Sequence, residues 1–346
     1  MQTQPLCFAH NDVPNAKGFW LSAKLNDHDL RRQALVLDDP REQTGLAYRI
    51  DPGVGLLDVL NIYNFPGFPV EKIYCASCQG HHHARGFTAL TTKGDRILLG
   101  SKCGADAFGE SWASAEKRMK ERVDRQYELH RLDRFAPIYK PMQAALGAWI
   151  RPVEDLAYRL IGFRTNLGEL ASRAQEAAIR HGGNLVINQR VRKRRSDDPE
   201  WVEVPYAKLH GAAMFSGFDR LNVVLAIEGA MKNMTDLVQM VPHTDRLSLP
   251  LMKRRRLRME ASFRQLEEVV AIYEAGQDFF TDASFKLLSE WSFVRDQKDY
   301  RYSFEGGLLR HVDRDGINRT AISLLTPLRD LDDQIIELIQ EYRRAD

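Results

Sequence analysis

Apolar positions recur at helical spacing over most of the second two thirds of the chain. Trp112, Ala115, Met119, Val123 and Tyr127 define an amphipathic helix over Glu110–Phe135. Pro137 is expected to end it, Pro141 and Pro152 to bracket a shorter helix over Met142–Ile150, and Val153–Arg180 to follow as a third, stopped by His181-Gly182-Gly183. Leu209–Met240, rich in Ala, Gly and Met, predicts a buried helical element broken near Ser216-Gly217. Leu257–Phe280 and Ala283–Phe293 continue as helices, and Thr320–Arg344 closes the chain with Leu324, Leu328, Leu331, Ile335 and Leu338 on a heptad seam, expected to pack on a helix over 256–275.

The period changes in a few places. Residues 184–194 and 200–206 alternate like strands around the turn-forming Arg195-Ser196-Asp197-Asp198-Pro199, which predicts a β-hairpin over 184–206. Residues 86–92 and 96–100 predict a second hairpin around Lys93-Gly94-Asp95, and 299–307 a further strand. Near the start, a short helix is expected within Leu21–Leu35 and a helix-like run at Leu56-Leu57-Asp58-Val59-Leu60, followed by Pro66, Gly67 and Pro69 as a linker. The expected fold class is mainly α with small α+β parts. A zinc module over 71–109 sits between an N-terminal region (1–70) and a helical body (110–346) that carries the basic hairpin.

Candidate chemistry concentrates in Tyr74–Gly109. Three of the four cysteines fall here, as Cys75-x2-Cys78 and, about two dozen residues later, Cys103, with His81, His82 and His83 between them. A short C-x2-C turn bends two thiolates toward one ion, and zinc takes four sulfur or nitrogen ligands. His82 or His83 stands at a common distance for the fourth ligand, and Cys7 or His10 of the N-terminal C-x2-H pair is the other source. Three thiolates and one more protein ligand would close the site, making the metal structural. No H-x-E element precedes Cys75, which speaks against deaminase-type zinc chemistry. Knuckle, hairpin and a ligand near a helix start resemble treble-clef-like zinc-knuckle modules found in proteins of phages and mobile elements. The resemblance covers about 35 residues and departs from that pattern in offering only Cys103 from the helix side.

Composition narrows the function classes. A net charge of +2 gives no molecule-wide attraction to nucleic acid, so any such binding must come from local patches. Two blocks hold five cations in six residues: Arg190, Arg192, Lys193, Arg194 and Arg195 on the hairpin, and Lys253, Arg254, Arg255, Arg256 and Arg258 at a helix start. The basic face of the 110–135 helix is expected to be a solvated surface laced with pairs four residues apart. No phosphate-binding loop, nucleophile elbow or H-E-x-x-H element occurs. No apolar run is long enough for a membrane span, no signal peptide is evident, and few clustered cysteines fit a reducing compartment, so a cytoplasmic protein is expected. The leading expectation is a non-enzymatic DNA- or RNA-binding accessory protein with structural zinc. The alternatives are a protein–protein scaffold, with a protein partner or a second copy as its target, and a metal-dependent nuclease using His81–His83.

Overall fold

A computed structural model describes residues 25–64, 73–192, 199–295, 302–312, 318–322 and 329–344. In chain order the elements are α1 (Asp27–Arg32), β1 (Val36–Leu37), β2 (Leu46–Ala47), β3 (Leu56–Asn64), β4 (Ile73–Tyr74), β5 (His81–His83), β6 (Arg85–Thr91), β7 (Arg96–Leu99), α2 (Ser101–Asn166), α3 (Gly168–Arg180), β8 (Asn184–Arg192), β9 (Pro199–Lys208), α4 (Ala213–Arg220), α5 (Val223–Val238), α6 (Leu249–Phe279), α7 (Asp282–Arg295), β10 (Tyr302–Glu305), β11 (Leu308–Val312), β12 (Asn318–Ile322) and α8 (Arg329–Arg343). The protein is mainly α with small sheets, as its periodicity predicts. Its chain divides into two units, one formed by 1–131 with 243–252 and the other by 132–242 with 253–346.

The first unit is built on a five-stranded sheet of order β1-β3-β6-β7-β2, antiparallel through β3, β6 and β7 and flanked by short parallel strands. Residues 56–60 were expected to be helix-like. They are strand, because Val59, Asn61 and Tyr63 alternate and find a partner in β6, with Val59 and Tyr63 fully buried. The charged Asp58 in that strand is buried and paired with Arg118 and Arg122 of α2, at 3.2 and 2.8 Å. On the same helix Arg125 grips the buried Asp27 through two nitrogens, at 2.5 and 2.9 Å, and donates to the carbonyls of Thr244 and Leu247. Burial alone would raise the Asp27 carboxyl; hydrogen bonds from Arg125 and Thr244 and the nearby charges of Arg125 and Arg31 hold it below its ordinary value. The basic face of α2 is therefore partly a set of cross-chain anchors, with Lys120–Glu116 a pair of the expected four-residue spacing.

In the second unit, α2 runs through Pro137, Pro141 and Pro152 rather than ending at the first. A mid-helix proline costs about 3 kcal/mol. Here Leu132, Phe135, Ile138, Met142, Leu146, Trp149, Val153, Leu156, Leu160 and Phe163 keep a buried stripe across all three, while Pro137 and Pro141 lie on the exposed side. Packing of the apolar face outweighs the local penalty. Phe163, Phe215, Phe279, Phe280 and Phe285 form an aromatic cluster with ring centroids 5.1–6.4 Å apart. The expected break at Ser216-Gly217 falls five residues too early. Those residues lie inside α4, where Gly217 gives room to Ile272, and the chain turns instead at Leu221-Asn222. The expected last helix also starts too early: 318–322 is a strand paired with β11. Along α8, Asp332, Ile335, Ile339 and Tyr342 are buried, and the Tyr342 ring meets Phe135 of α2 and Phe263 of α6. Leu324 and Leu328 lie outside the described residues.

Candidate functional site

The three cysteines come together. Cys75, Cys78 and Cys103 place their sulfur atoms within 4.8 Å of one another, close enough to hold a metal ion. Two sulfurs on a tetrahedral zinc stand about 3.8 Å apart, so the thiols need little rearrangement. Cys75 is buried, Cys103 half-buried and Cys78 exposed, which leaves the cluster open on one side.

Local backbone chemistry fixes the first two. After β4 the chain folds into a tight turn in which the Cys75 amide donates to the Gly80 carbonyl at 2.9 Å and the Gln79 amide donates to the Cys75 carbonyl at 2.8 Å. Closing that turn places Gln79 at a φ of 58°, a left-handed conformation. The Ala76 amide donates to Leu98, which ties the turn to β7. Burial pushes the Cys75 thiol up, but backbone hydrogen bonds at Cys78, Ser77 and Gly100, and one with the Cys78 side chain, outweigh it and hold the thiol below its ordinary value. Cys103 shows the opposite effect: burial, then hydrogen bonds and charge from Cys75 and Cys78, push it up to about 12. Three crowded thiols cannot all ionise unaided. A bound cation removes that conflict by compensating the charge, so the donor set fits a soft divalent metal.

A break near the start of α2 positions Cys103. Residues 101–108 form the first turns of α2, and Gly109 then breaks the helix at φ 56°, ψ −129°. That conformation is open to glycine and strained for other residues. The chain folds back there. The Ser101 hydroxyl lies 3.0 Å from the Glu116 carboxylate, a pair that would be about 22 Å apart in an unbroken helix. Trp112 donates from its indole to the same carboxylate at 2.8 Å, and its ring lies flat on Gly104, where a Cβ would come within 2.2 Å of the indole. Phe87 of β6 meets the Trp112 ring edge-on at 5.5 Å. The Gly104/Gly109 pair ahead of Trp112 and Glu116 was the available signal: two glycines in a helical pattern, one a break and one a close approach.

Of the histidines, His83 lies on β5 with Nδ1 3.0 Å from the Tyr63 hydroxyl, against whose ring it stacks. Tyr63 is buried close enough to Cys75 for burial, and then the sulfur's charge, to raise its phenol. His81 and His82 lie on the same strand. Cys7 and His10 lie outside the described residues.

The two basic blocks are embedded differently. β8 and β9 pair antiparallel from Asn184↔Lys208 to Arg192↔Pro199, and residues 188–191 and 200–203 are exposed on both faces. Arg190 has no ion-pair partner among the described residues, and Lys193, Arg194 and Arg195 lie outside them. At its base the ribbon is held by buried Leu185, by the Trp291 indole donating to the Val186 carbonyl at 2.9 Å, and by Leu209 donating to Gly183. The other block sits in the first turns of α6. Arg255 pairs there with Asp236 of α5 and Arg256 with Glu260 at 3.0 Å, while Arg254 and Arg258 are exposed. Among the described residues no helix is long and apolar enough to cross a membrane.

The chain matches no family model, no curated protein and no solved structure.

Proposed function

We propose that the protein is a non-enzymatic, nucleic-acid-binding accessory protein, cytoplasmic and of phage or mobile-element type, with a structural zinc ion on Cys75, Cys78 and Cys103. The knuckle turn, the β6–β7 strand pair and Cys103 at a helix start support a treble-clef-like arrangement. Zinc there would lock the turn to the helix, and a fourth ligand from His82, His83, Cys7 or His10 would close the site against catalysis. Binding is assigned to the arm formed by β8 and β9, whose sequence joins them as a basic hairpin. The observation that carries this reading is the exposed outer half of the ribbon. Arg190 stands there with no ion-pair partner among the described residues, and the sequence continues through four more cations to Arg195. The exposed Arg254 and Arg258 are secondary phosphate contacts, with Lys253, Arg255 and Arg256 on the same stretch.

The test is binding to labelled DNA and RNA across a salt series. Each phosphate contact contributes about 0.7–0.9 to the slope of log affinity against log salt. Changing Arg192, Lys193, Arg194 and Arg195 together to Ala should lower that slope by about 3 and weaken binding at least tenfold. An unchanged affinity would remove the arm from the assignment. Elemental analysis of the same sample should give one zinc per chain, lost on Cys78→Ser.

A further inference from the structure

The arm carries an aromatic side chain that the charge argument does not use. Trp201 on β9 is 61% exposed, whereas Trp112, Trp149 and Trp291 are at most 3% exposed. Its cross-strand neighbour is Arg190. An aromatic or β-branched residue directly opposite would pack on the indole, and Arg190 is neither. Among the described residues no ring and no cation packs on the Trp201 indole. The ribbon base, with Trp291 and Leu185, is buried, so exposure of Trp201 belongs to the projecting half alone.

We propose that Trp201 is a stacking platform for an unpaired base of single-stranded DNA or RNA, with Arg190 beside it meeting the adjoining phosphate. This rests on the nucleic-acid reading and narrows its ligand class. An indole face binds any base by stacking, and a neighbouring cation tracks the backbone; together they are the usual elements of sequence-tolerant single-strand binding. A duplex hides its base faces. A ribbon entering its major groove would read base edges through hydrogen-bonding side chains, and Trp offers a single donor there.

The experiment measures anisotropy of labelled 12-nucleotide dT and U strands and of a matched duplex against the full chain, over a salt series. Trp201→Ala should weaken both single strands about 10-fold or more. The salt slope and duplex binding should stay unchanged, and Trp201→Phe should restore most of the affinity. Arg190→Ala should instead lower the salt slope by about 0.7. An unchanged thermal midpoint confirms that these exposed positions leave the fold intact. Wild-type binding that Trp201→Ala leaves untouched, or equal losses on duplex and single strand, would overturn the stacking assignment and leave the nucleic-acid reading standing. No binding by the wild type would sink both. A wild-type dimer that Trp201→Ala converts to monomer would show that a second copy covers the indole.

Discussion

The cysteine cluster and the β8–β9 ribbon are opposite kinds of place. Around the cluster, successive backbone groups have partners: Cys75, Ala76, Gln79 and Gly104 each donate to a carbonyl, and Ser101, Trp112 and Lys120 converge on Glu116. The thiols, by contrast, conflict with one another. On the outer ribbon the backbone is paired but the side chains Arg190, Val191, Trp201 and Val202 face solvent. A group already engaged inside the fold holds the fold, and one left over is available to a partner. Substitutions at the cluster should therefore register in stability and those on the ribbon in binding.

The strongest way to break that contrast is Cys75→Ser. Metal ligation in small modules is worth on the order of 10 kcal/mol. Loss of the buried ligand should abolish zinc retention and lower the thermal midpoint of the first unit by well over ten degrees, and a chelator should do the same to the wild type. A variant that kept both metal and midpoint would show that the thiols serve no structural ion.

Asp332 sharpens the contrast from a third side, as a buried acid with no ion-pair partner among the described residues. It is 2% exposed, and among the described residues no hydrogen bond of good geometry reaches either carboxylate oxygen; the Trp149 indole lies nearby. Burial, then the charges of Glu274 and Asp333, push its carboxyl up to about 7, with the Trp149 indole working against the shift. A raised folded-state pKa means that, between about 4 and 7, the folded chain holds a proton the unfolded chain has released. Stability should fall as pH rises through that window and stay reduced above it. Asp332→Asn should remove the slope and stabilise the protein by about 2–4 kcal/mol at pH 8, with little effect at pH 4. Equal effects at both pH values would mean that the carboxyl ionises normally.

Next in size is Gly109→Ala. Its backbone conformation should cost about 1–3 kcal/mol in any residue with a Cβ, and metal affinity should drop with it, because Gly109 folds the Cys103 turn back against Trp112. Loss of stability with unchanged metal affinity would separate the helix break from the metal centre.

How much of this was legible depends on how local the cause is. The thiol spacing, the strand alternation on both sides of residues 193–198 and the apolar stripe through α2 are local, and they read directly. The strand at 56–64 did not, because Leu56-Leu57-Asp58-Val59-Leu60 satisfies either period and pairing with β6 decides it. The prolines of α2 misled for the complementary reason: a local breaker signal was overridden by a buried face 32 residues long, from Leu132 to Phe163. Asp27 and Asp58 look like surface acids in sequence, and only the placement of α2 shows them as partners of Arg118, Arg122 and Arg125.

The smallest expected effect tests the same point within a single composition. The stretches 190–195 and 253–258 both hold five cations in six residues, yet Arg255 is half-buried against Asp236 while Arg190 is exposed and without an ion pair among the described residues. A pair of this exposure is worth about 0.5–1 kcal/mol. Arg255→Ala should therefore lower the unfolding free energy by that amount, and Asp236→Ala should do the same, with the double variant losing no more than either alone. Arg190→Ala should change stability by less than about 0.3 kcal/mol while reducing the salt slope of nucleic-acid binding. Denaturant titration of the four variants separates the two behaviours. If Arg255→Ala left stability unchanged and took the binding slope down as Arg190→Ala does, cation count in the sequence, and not the internal pairing of each cation, would govern which block meets phosphate.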